Sequence, residues 1–357
     1  MQLKKLLLPP VVGVITICPI TLASCGEQPG DLITVTDMLG DSIQIKQNPD
    51  KVACVSRTTY DLLIAFGLKD KVDGAYAPIY DNPWVETIYP ESKNDYRYDY
   101  NESHETFIIR NVDLVFAPEK YISDGLKQHG IKALCISLYG NPTFDTWTHF
   151  YADTIAKLWN YDYVKPNVDK WENDVDTAIE DIKGQLSKFK NEAKKKVFYV
   201  RGDRNEGIEY TDTKGSFTEF AFRTLGFDYA GSNLTNPRPS KEEVLSFKPD
   251  IFFIGGKFQN KLVQQLKNDS EYKLLDAVKN NQIYTIPVGL TMFEQLSAMT
   301  PVFLYDIANK AYPDIFQYDI SQMIKTTIKQ YFNKDLTDQE VQYMQEGKDA
   351  NGKDLSE

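Results

Sequence analysis

The sequence predicts an α/β protein of two lobes, each a mainly parallel, helix-covered sheet, joined by one long rigid α-helix. Short apolar runs alternating with helix-like segments predict the sheets, because strands covered on both faces read as continuous apolar stretches. The alternation stops once, at a charged segment near 166–195, and then resumes, which predicts two lobes and one helical connection. The folded part runs to about 300 residues, more than a single core usually holds.

The chain opens with "MQLKKLLLPPVVGVITICPITLASC". Lys4 and Lys5 make a basic start, residues 6 to 22 are mostly apolar, and Leu22-Ala23-Ser24 stands before Cys25. That order has the form of a secretory signal ending in the Leu-Ala-Ser-Cys lipobox of bacterial lipoproteins, so 1–24 reads as signal peptide and Cys25 as the lipidation site. Pro9 and Pro10 break the run, which is too short for a transmembrane anchor. A diacylglycerol on Cys25 would supply two chains, enough for stable anchoring. Residues 25–31 form a polar tether, and no later segment is apolar for long enough to span a bilayer.

The body starts with a polar hairpin, "LITVTDMLGDSIQI", turning at Leu39-Gly40-Asp41. Apolar runs at 52–56, 72–76, 113–118 and 133–138 then each precede an amphipathic segment. From Pro166 to Lys195 the pattern is one long helix whose stripe is Val168, Trp171, Val175, Ala178, Ile179, Ile182 and Leu186. Strand-like runs return at 196–202, 207–212, 250–256 and 282–288, with helices between them and one from Pro301 to Tyr312. A helix pair at 320–346 and a polar tail, "EGKDANGKDLSE", read as disordered, close the chain. The domain bounds are 32–160 for the first lobe, 161–195 for the connecting helix, 196–332 for the second lobe and 333–357 for a terminal helix and tail.

Ligands of open parallel sheets collect beyond the carboxyl ends of the strands. Those ends carry Arg57 and Thr58, Tyr76 to Tyr80, and Glu119 in the first lobe, with Arg201, Arg204 and Lys257 in the second. The chain has 40 Lys and Arg, of which only seven are Arg, so arginine at a strand tip is a selective choice. Its planar fork suits bidentate recognition of carboxylate or phenolate oxygens. Arg97 joins the set from an irregular loop, and Tyr76, Tyr80, Trp84, Tyr98 and Tyr210 could wall a large planar ligand. The tripeptide Arg201-Gly202-Asp203 admits two readings, an adhesion tag or half of an anion clamp with Arg57.

Catalysis has little support. The three His, His104, His129 and His149, are scattered, and no phosphate-binding glycine loop or nucleophile elbow occurs. Cys54 and Cys135 sit inside apolar runs, where cysteine behaves as a small hydrophobe. A formal charge of −11 argues against nucleic acid as a partner.

Three segments carry a family resemblance. "ITVTDMLGDSIQIKQNPDKVACVSRTTYDLLIAFGLKDKVDGAY", "HETFIIRNVDLVFAP" and "SKEEVLSFKPDIFFIGG" resemble the solute-binding lipoproteins of iron–siderophore, haem and cobalamin ABC importers. The resemblance spans essentially the whole mature chain. It implies a class III periplasmic-binding-protein-like fold, no enzymatic activity and no cofactor of its own. It also implies partnership with permease and ATPase subunits at the extracytoplasmic face of the cell membrane. One acidic residue per lobe would dock on the permease, by position Asp61 and Glu242. Thr58 to Asp61 and Ser240 to Glu243 also fit capping boxes, which would occupy Asp61 and Glu243 and leave Glu242 free. The arginines imply an anionic ferric chelate of siderophore or citrate type, with haem, cobalamin and a surface adhesin as alternatives, and direct metal ligands stay open.

Overall fold

The computed structural model describes residues 32–136, 144–189 and 194–356. The signal peptide, Cys25 and the tether lie outside the described residues.

Strands β1 (Leu32–Thr36) and β2 (Ser42–Lys46) form the expected hairpin, with Leu32 opposite Lys46. The first lobe then runs β3 (Val52–Cys54), α1 (Arg57–Ala65), β4 (Val72–Tyr76), α2 (Pro83–Ile88), β5 (Tyr96–Tyr98), α3 (His104–Ile109), β6 (Leu114–Ala117), α4 (Lys120–Gln128), β7 (Ala133–Cys135) and α5 (Phe144–Leu158). Its sheet has the order β5-β4-β3-β6-β7, parallel throughout. Helix α6 (Val164–Leu186) leads to the second lobe, which runs β8 (Lys196–Val200), α7 (Phe217–Thr224), β9 (Asp228–Tyr229), α8 (Lys241–Phe247), β10 (Ile251–Ile254), α9 (Gln259–Asn268), α10 (Asp276–Lys279), β11 (Ile283–Thr285) and α11 (Thr300–Ala311). This second sheet, β11-β10-β8-β9, is also parallel. Helices α12 (Ile320–Phe332) and α13 (Asp338–Gln345) complete the chain.

Helix α6 buries Val168, Trp171, Val175, Ala178, Ile179 and Ile182, as its stripe requires, while Leu186 is half-buried near the frayed end. Trp171 is the pivot of this packing. Its ring meets Phe66 edge-on at 5.7 Å, next to α1, and its Nε1–H donates to the Ser297 carbonyl at 3.0 Å. One apolar cluster therefore continues from Val35 in the hairpin through Trp171 to Met344, so the two lobes share a core in addition to the smaller cluster that each holds on the outer face of its sheet.

Four expectations need correction. Arg97 belongs to β5, paired in parallel with β4, and not to an irregular loop. Residues 207–212 form no strand, although the Arg201 N–H donates to the Tyr210 carbonyl at 2.7 Å. The capping box at Thr58 does not form, because α1 begins at Arg57 with Ser56 as its cap; the box at Ser240 and Glu243 does. The polar tail is folded: a bridge joins Lys348 to Asp354, Trp84 Nε1–H donates to the Lys348 carbonyl at 2.7 Å, and Asn260 donates to Asp354 at 2.8 Å.

Replacing Trp171 with Ala removes the ring that both lobes touch and should cost about 3–5 kcal/mol of stability. The expected readout is a lower urea midpoint in a single transition. Two separated transitions in the wild-type protein would contradict a shared core.

Candidate functional site

Both sheets have a switch point, where the strand order reverses, and both switch points face one cavity. In the first sheet β3 lies between β4 and β6, so the segments after β3 and β6 diverge and leave a crevice. Arg57 and Thr58 follow β3 there, and Glu119 follows β6. In the second sheet β8 lies between β9 and β10, and the segments after β8 and β10 supply Arg201, Asp203, Arg204 and Lys257. The cavity has a volume of about 750 Å³, inside the range of roughly 300–1,000 Å³ usual for small-molecule sites.

Two glycines allow the second-lobe wall to form. A Cβ on Gly202 would stand 2.1 Å from the Gly255 carbonyl oxygen, and Gly256, at φ +73°, would drive one into the Gly202 backbone at 2.1 Å. The two loops thus pack backbone against backbone. The Gly256 N–H, set free by this approach, donates to Glu294 Oε1 at 2.7 Å.

Arg57 is the distinctive cation. Its side chain is half-buried, Nη1–H donates to the Pro78 carbonyl at 3.3 Å, and the guanidinium lies 5.9 Å from the Tyr76 ring centre. Among the described residues no carboxylate comes within ion-pair distance of it. Desolvation lowers its pKa, opposed by the more distant charges of Asp203, Tyr76 and Asp81. Arg201 differs. Nε and Nη2 meet both oxygens of Asp203, at 3.2 and 3.1 Å, and Nη1 meets Asp212 at 3.1 Å. Its charge is already answered by two acids, whereas Arg57 has none among the described residues, so the two do not make a symmetric clamp. The same pairing locks Arg201 and Asp203 together, whereas an adhesion tag needs both groups free for a receptor.

Tyr76, Tyr100 and Glu119 form the first-lobe wall, with the tyrosine rings edge to face at 5.7 Å and Tyr100 donating to Glu119 at 3.2 Å. Five of the predicted ligand residues lie off the cavity. Trp84 is fully buried in the shared core. Tyr98 is also buried, stacked on Phe107 and bonded to Asp73, because alternation along β5 turns it inward. Tyr80 donates to Asp95 at 3.2 Å, and Arg97 is exposed with its guanidinium 5.2 Å from the Tyr80 ring. Tyr210 is held between Arg201 and Arg238, at 5.3 and 4.8 Å from its ring centre.

Asp61 cannot serve as a docking acid, because it is 0% exposed. Its Oδ1 accepts the Ala298 N–H at 2.8 Å and so ties α1 to the second lobe. Nearby, Asn82 Nδ2 donates to the Gly289 and Leu290 carbonyls at 2.7 and 3.2 Å. With Trp171 on Ser297, four bonds from three residues of the first lobe and connecting helix pin segment 289–300. That segment brings Thr291, Glu294 and Gln295 to the cavity, none of which the sequence reading singled out. Its one signal was a Glu set among apolar residues, in "MFEQL". Glu242 is exposed at the start of α8.

Comparison with known proteins agrees with this architecture. Residues 166–288 match the periplasmic binding protein family. An uncharacterized ABC transporter substrate-binding lipoprotein of Bacillus subtilis, YvrC, is 22% identical over 291 residues, which cover 80% of this chain and 87% of the relative. Among solved structures, the molybdate-bound MolA of Haemophilus influenzae superposes with a TM-score of 0.71 at 16% identity, over 85% of this chain and 99% of that one. A periplasmic solute binding protein of Veillonella parvula gives 0.69 at 19% identity, over 90% and 98%. CeuE of Helicobacter pylori in a nickel–histidine complex gives 0.69 at 20%, over 87% and 98%. The family match over 166–288 and the superpositions give this chain the fold of the periplasmic binding proteins.

Burial pushes Asp61 up to about 7, against the pull of the Ala298 N–H, and pushes Glu294 up to about 7 as well. Both acids keep their protons in the folded state at pH values where the unfolded chain has lost them. The unfolded state then binds fewer protons, so stability falls as pH rises from about 4 to about 7, by on the order of 3 kcal/mol per group. Asp61→Asn, which keeps an acceptor for Ala298, should flatten part of this slope in urea titrations. A midpoint that rises across the window would contradict the burial of these acids.

Proposed function

We propose that this protein captures an anionic ferric chelate, of siderophore or citrate type, in the interlobe cavity and hands it to its permease. The observation that carries this reading is Arg57: a half-buried guanidinium at a switch point, with no acid paired to it among the described residues, on the wall of a cavity of about 750 Å³. A desolvated cation without a partner is costly in an empty site and favourable once an anion arrives. Lys257 adds a second cation on the same cavity, and Tyr76 and Tyr100 offer aromatic surface to a chelate's rings. Among the described residues no three His, Cys, Asp or Glu side chains converge as a metal site, which favours iron arriving already wrapped in its chelator.

The solved relatives named for molybdate, a nickel–histidine complex and Fe3+-hydroxamate transport support a small metal-bearing ligand as the general class. Lipid on Cys25 would hold the protein at the extracytoplasmic face of the membrane, and exposed Glu242 remains the docking acid of the second lobe.

Titrating the soluble domain with ferric citrate, a ferric catecholate, ferrioxamine B, haemin and cyanocobalamin, followed by tyrosine and tryptophan emission, tests the reading. Ferric citrate or the ferric catecholate, the two anionic ferric complexes, should quench at micromolar concentration or below, and Arg57→Ala should weaken that binding by about 1–3 kcal/mol. Quenching by haemin or cyanocobalamin alone would assign the site to those ligands. No response to any of the five, or equal affinity in Arg57→Ala, would contradict the proposal.

A further inference from the structure

The segment after α13 reaches the cavity from outside both sheets. Residues 346–356 fold back on themselves. Lys348 bridges to Asp354, and the Asp349 N–H donates to the Lys353 carbonyl at 2.7 Å. Asp349 Oδ1 in turn accepts the N–H groups of Asn351 and Lys353 at 2.8 and 2.9 Å. The entry to this turn is Gly347, at φ +66°, where a Cβ would run into the Gln259 side chain. The segment is therefore a built turn and not a loose end.

Both lobes hold it. From the first lobe, Trp84 Nε1–H of α2 donates to the Lys348 carbonyl at 2.7 Å. From the second, Asn260 Nδ2 of α9 donates to the Glu346 carbonyl at 2.9 Å and to Asp354 Oδ1 at 2.8 Å. Ala350 and Leu355, both half-buried, pack on the shared core, and Leu355 also lines the cavity. Among the described residues, nothing else beyond Leu296 reaches that cavity.

The other walls are harder to move. Four bonds pin segment 289–300, and the lobes share an apolar cluster. Among the described residues, by contrast, the side-chain hydrogen bonds from the lobes to residues 346–356 come from Trp84 and Asn260 alone. A short segment with few buried contacts opens locally at a lower free energy than a packed core.

We infer that segment 346–356 is a strap across the ligand site: it holds Leu355 on the bound solute, and its release from Trp84 and Asn260 lets the solute leave. This rests on the interlobe cavity being the ligand site, and it adds Leu355 to the residues that contact ligand. Leu355 is apolar and is the strap's one contribution to the cavity among the described residues. The strap therefore slows escape without reading the ligand's charge, which stays with Arg57.

The test measures release of ferric citrate and of the ferric catecholate after stopped-flow dilution, by tyrosine and tryptophan emission, in wild type, Asn260→Ala, Leu355→Ala and Arg57→Ala. Hydrogen exchange of peptides covering 346–356 accompanies it, and circular dichroism checks that each variant is folded. Strap amides should exchange slowly in wild type and faster in Asn260→Ala. Each strap variant should release a bound probe about three- to tenfold faster, the loss of a hydrogen bond or an apolar contact read in the dissociation rate. Strap amides that exchange in wild type as fast as an unfolded chain would overturn the inference, whatever the ligand. A release rate unchanged in either strap variant would overturn it too. Where Arg57→Ala weakens binding and the strap variants release at the wild-type rate, the cavity reading stands and this one falls. Where the strap variants release faster and Arg57→Ala binds as wild type does, the strap stands and the anionic reading falls. Binding of neither probe to wild type would overturn both.

Discussion

The structure depends on how segment 289–300 is fixed to the first lobe. Trp171 of α6 holds the Ser297 carbonyl, Asp61 of α1 holds the Ala298 N–H, and Asn82 holds the carbonyls of Gly289 and Leu290. Asp61 and Trp171 are fully buried, and their bonds are shielded from water. Breaking any one leaves a buried polar group unpaired, which costs more than the bond itself contributes. The segment that walls the cavity is therefore positioned by the opposite lobe as much as by its own. A shared apolar core running from Val35 to Met344 reinforces the same geometry. Large hinge closure would have to break all of these contacts at once, which fits a preformed site better than one assembled by domain motion.

Within that frame the cavity's cations are not equivalent. Among the described residues Arg57 has no acid within ion-pair distance on the first-lobe side, while on the second Arg201 is paired with Asp203 and Asp212 and stands beside Arg204 and Lys257. The number of basic side chains on the wall is a poor guide to its preference; what matters is which of them lack acids. The folded tail adds to the enclosure, since Leu355 reaches the cavity while Trp84 and Asn260 hold the tail from the two lobes.

Much of this was legible in the sequence because the signals were local. The period of Val168, Trp171, Val175 and Ile182 gave the connecting helix, and strand tips defined by short apolar runs led to Arg57, Glu119, Arg201 and Lys257. What escaped was set by distant partners. The burial of Asp61 follows from Ala298, 237 residues away, and a capping-box reading of Thr58 to Asp61 had no access to that contact. Between 76 and 100 the tyrosines all look alike in sequence, yet pairing of β5 with β4 sends Tyr98 into the core while Tyr76 and Tyr100 line the cavity. The tail is polar in composition, but Lys348 and Asp354 pair across it, and composition alone carries no trace of Asn260 and Trp84.

The central claim is that ligand sits between the lobes, on the two switch points and on segment 289–300 together. Hydrogen-exchange mass spectrometry, comparing the empty protein with the protein saturated by a chelate that binds, tests it directly. The account predicts joint protection of peptides spanning 56–58, 199–204 and 289–296, with α8 and the outer faces of both sheets unchanged. Protection confined to one lobe, or binding that leaves these three peptides untouched, would contradict it.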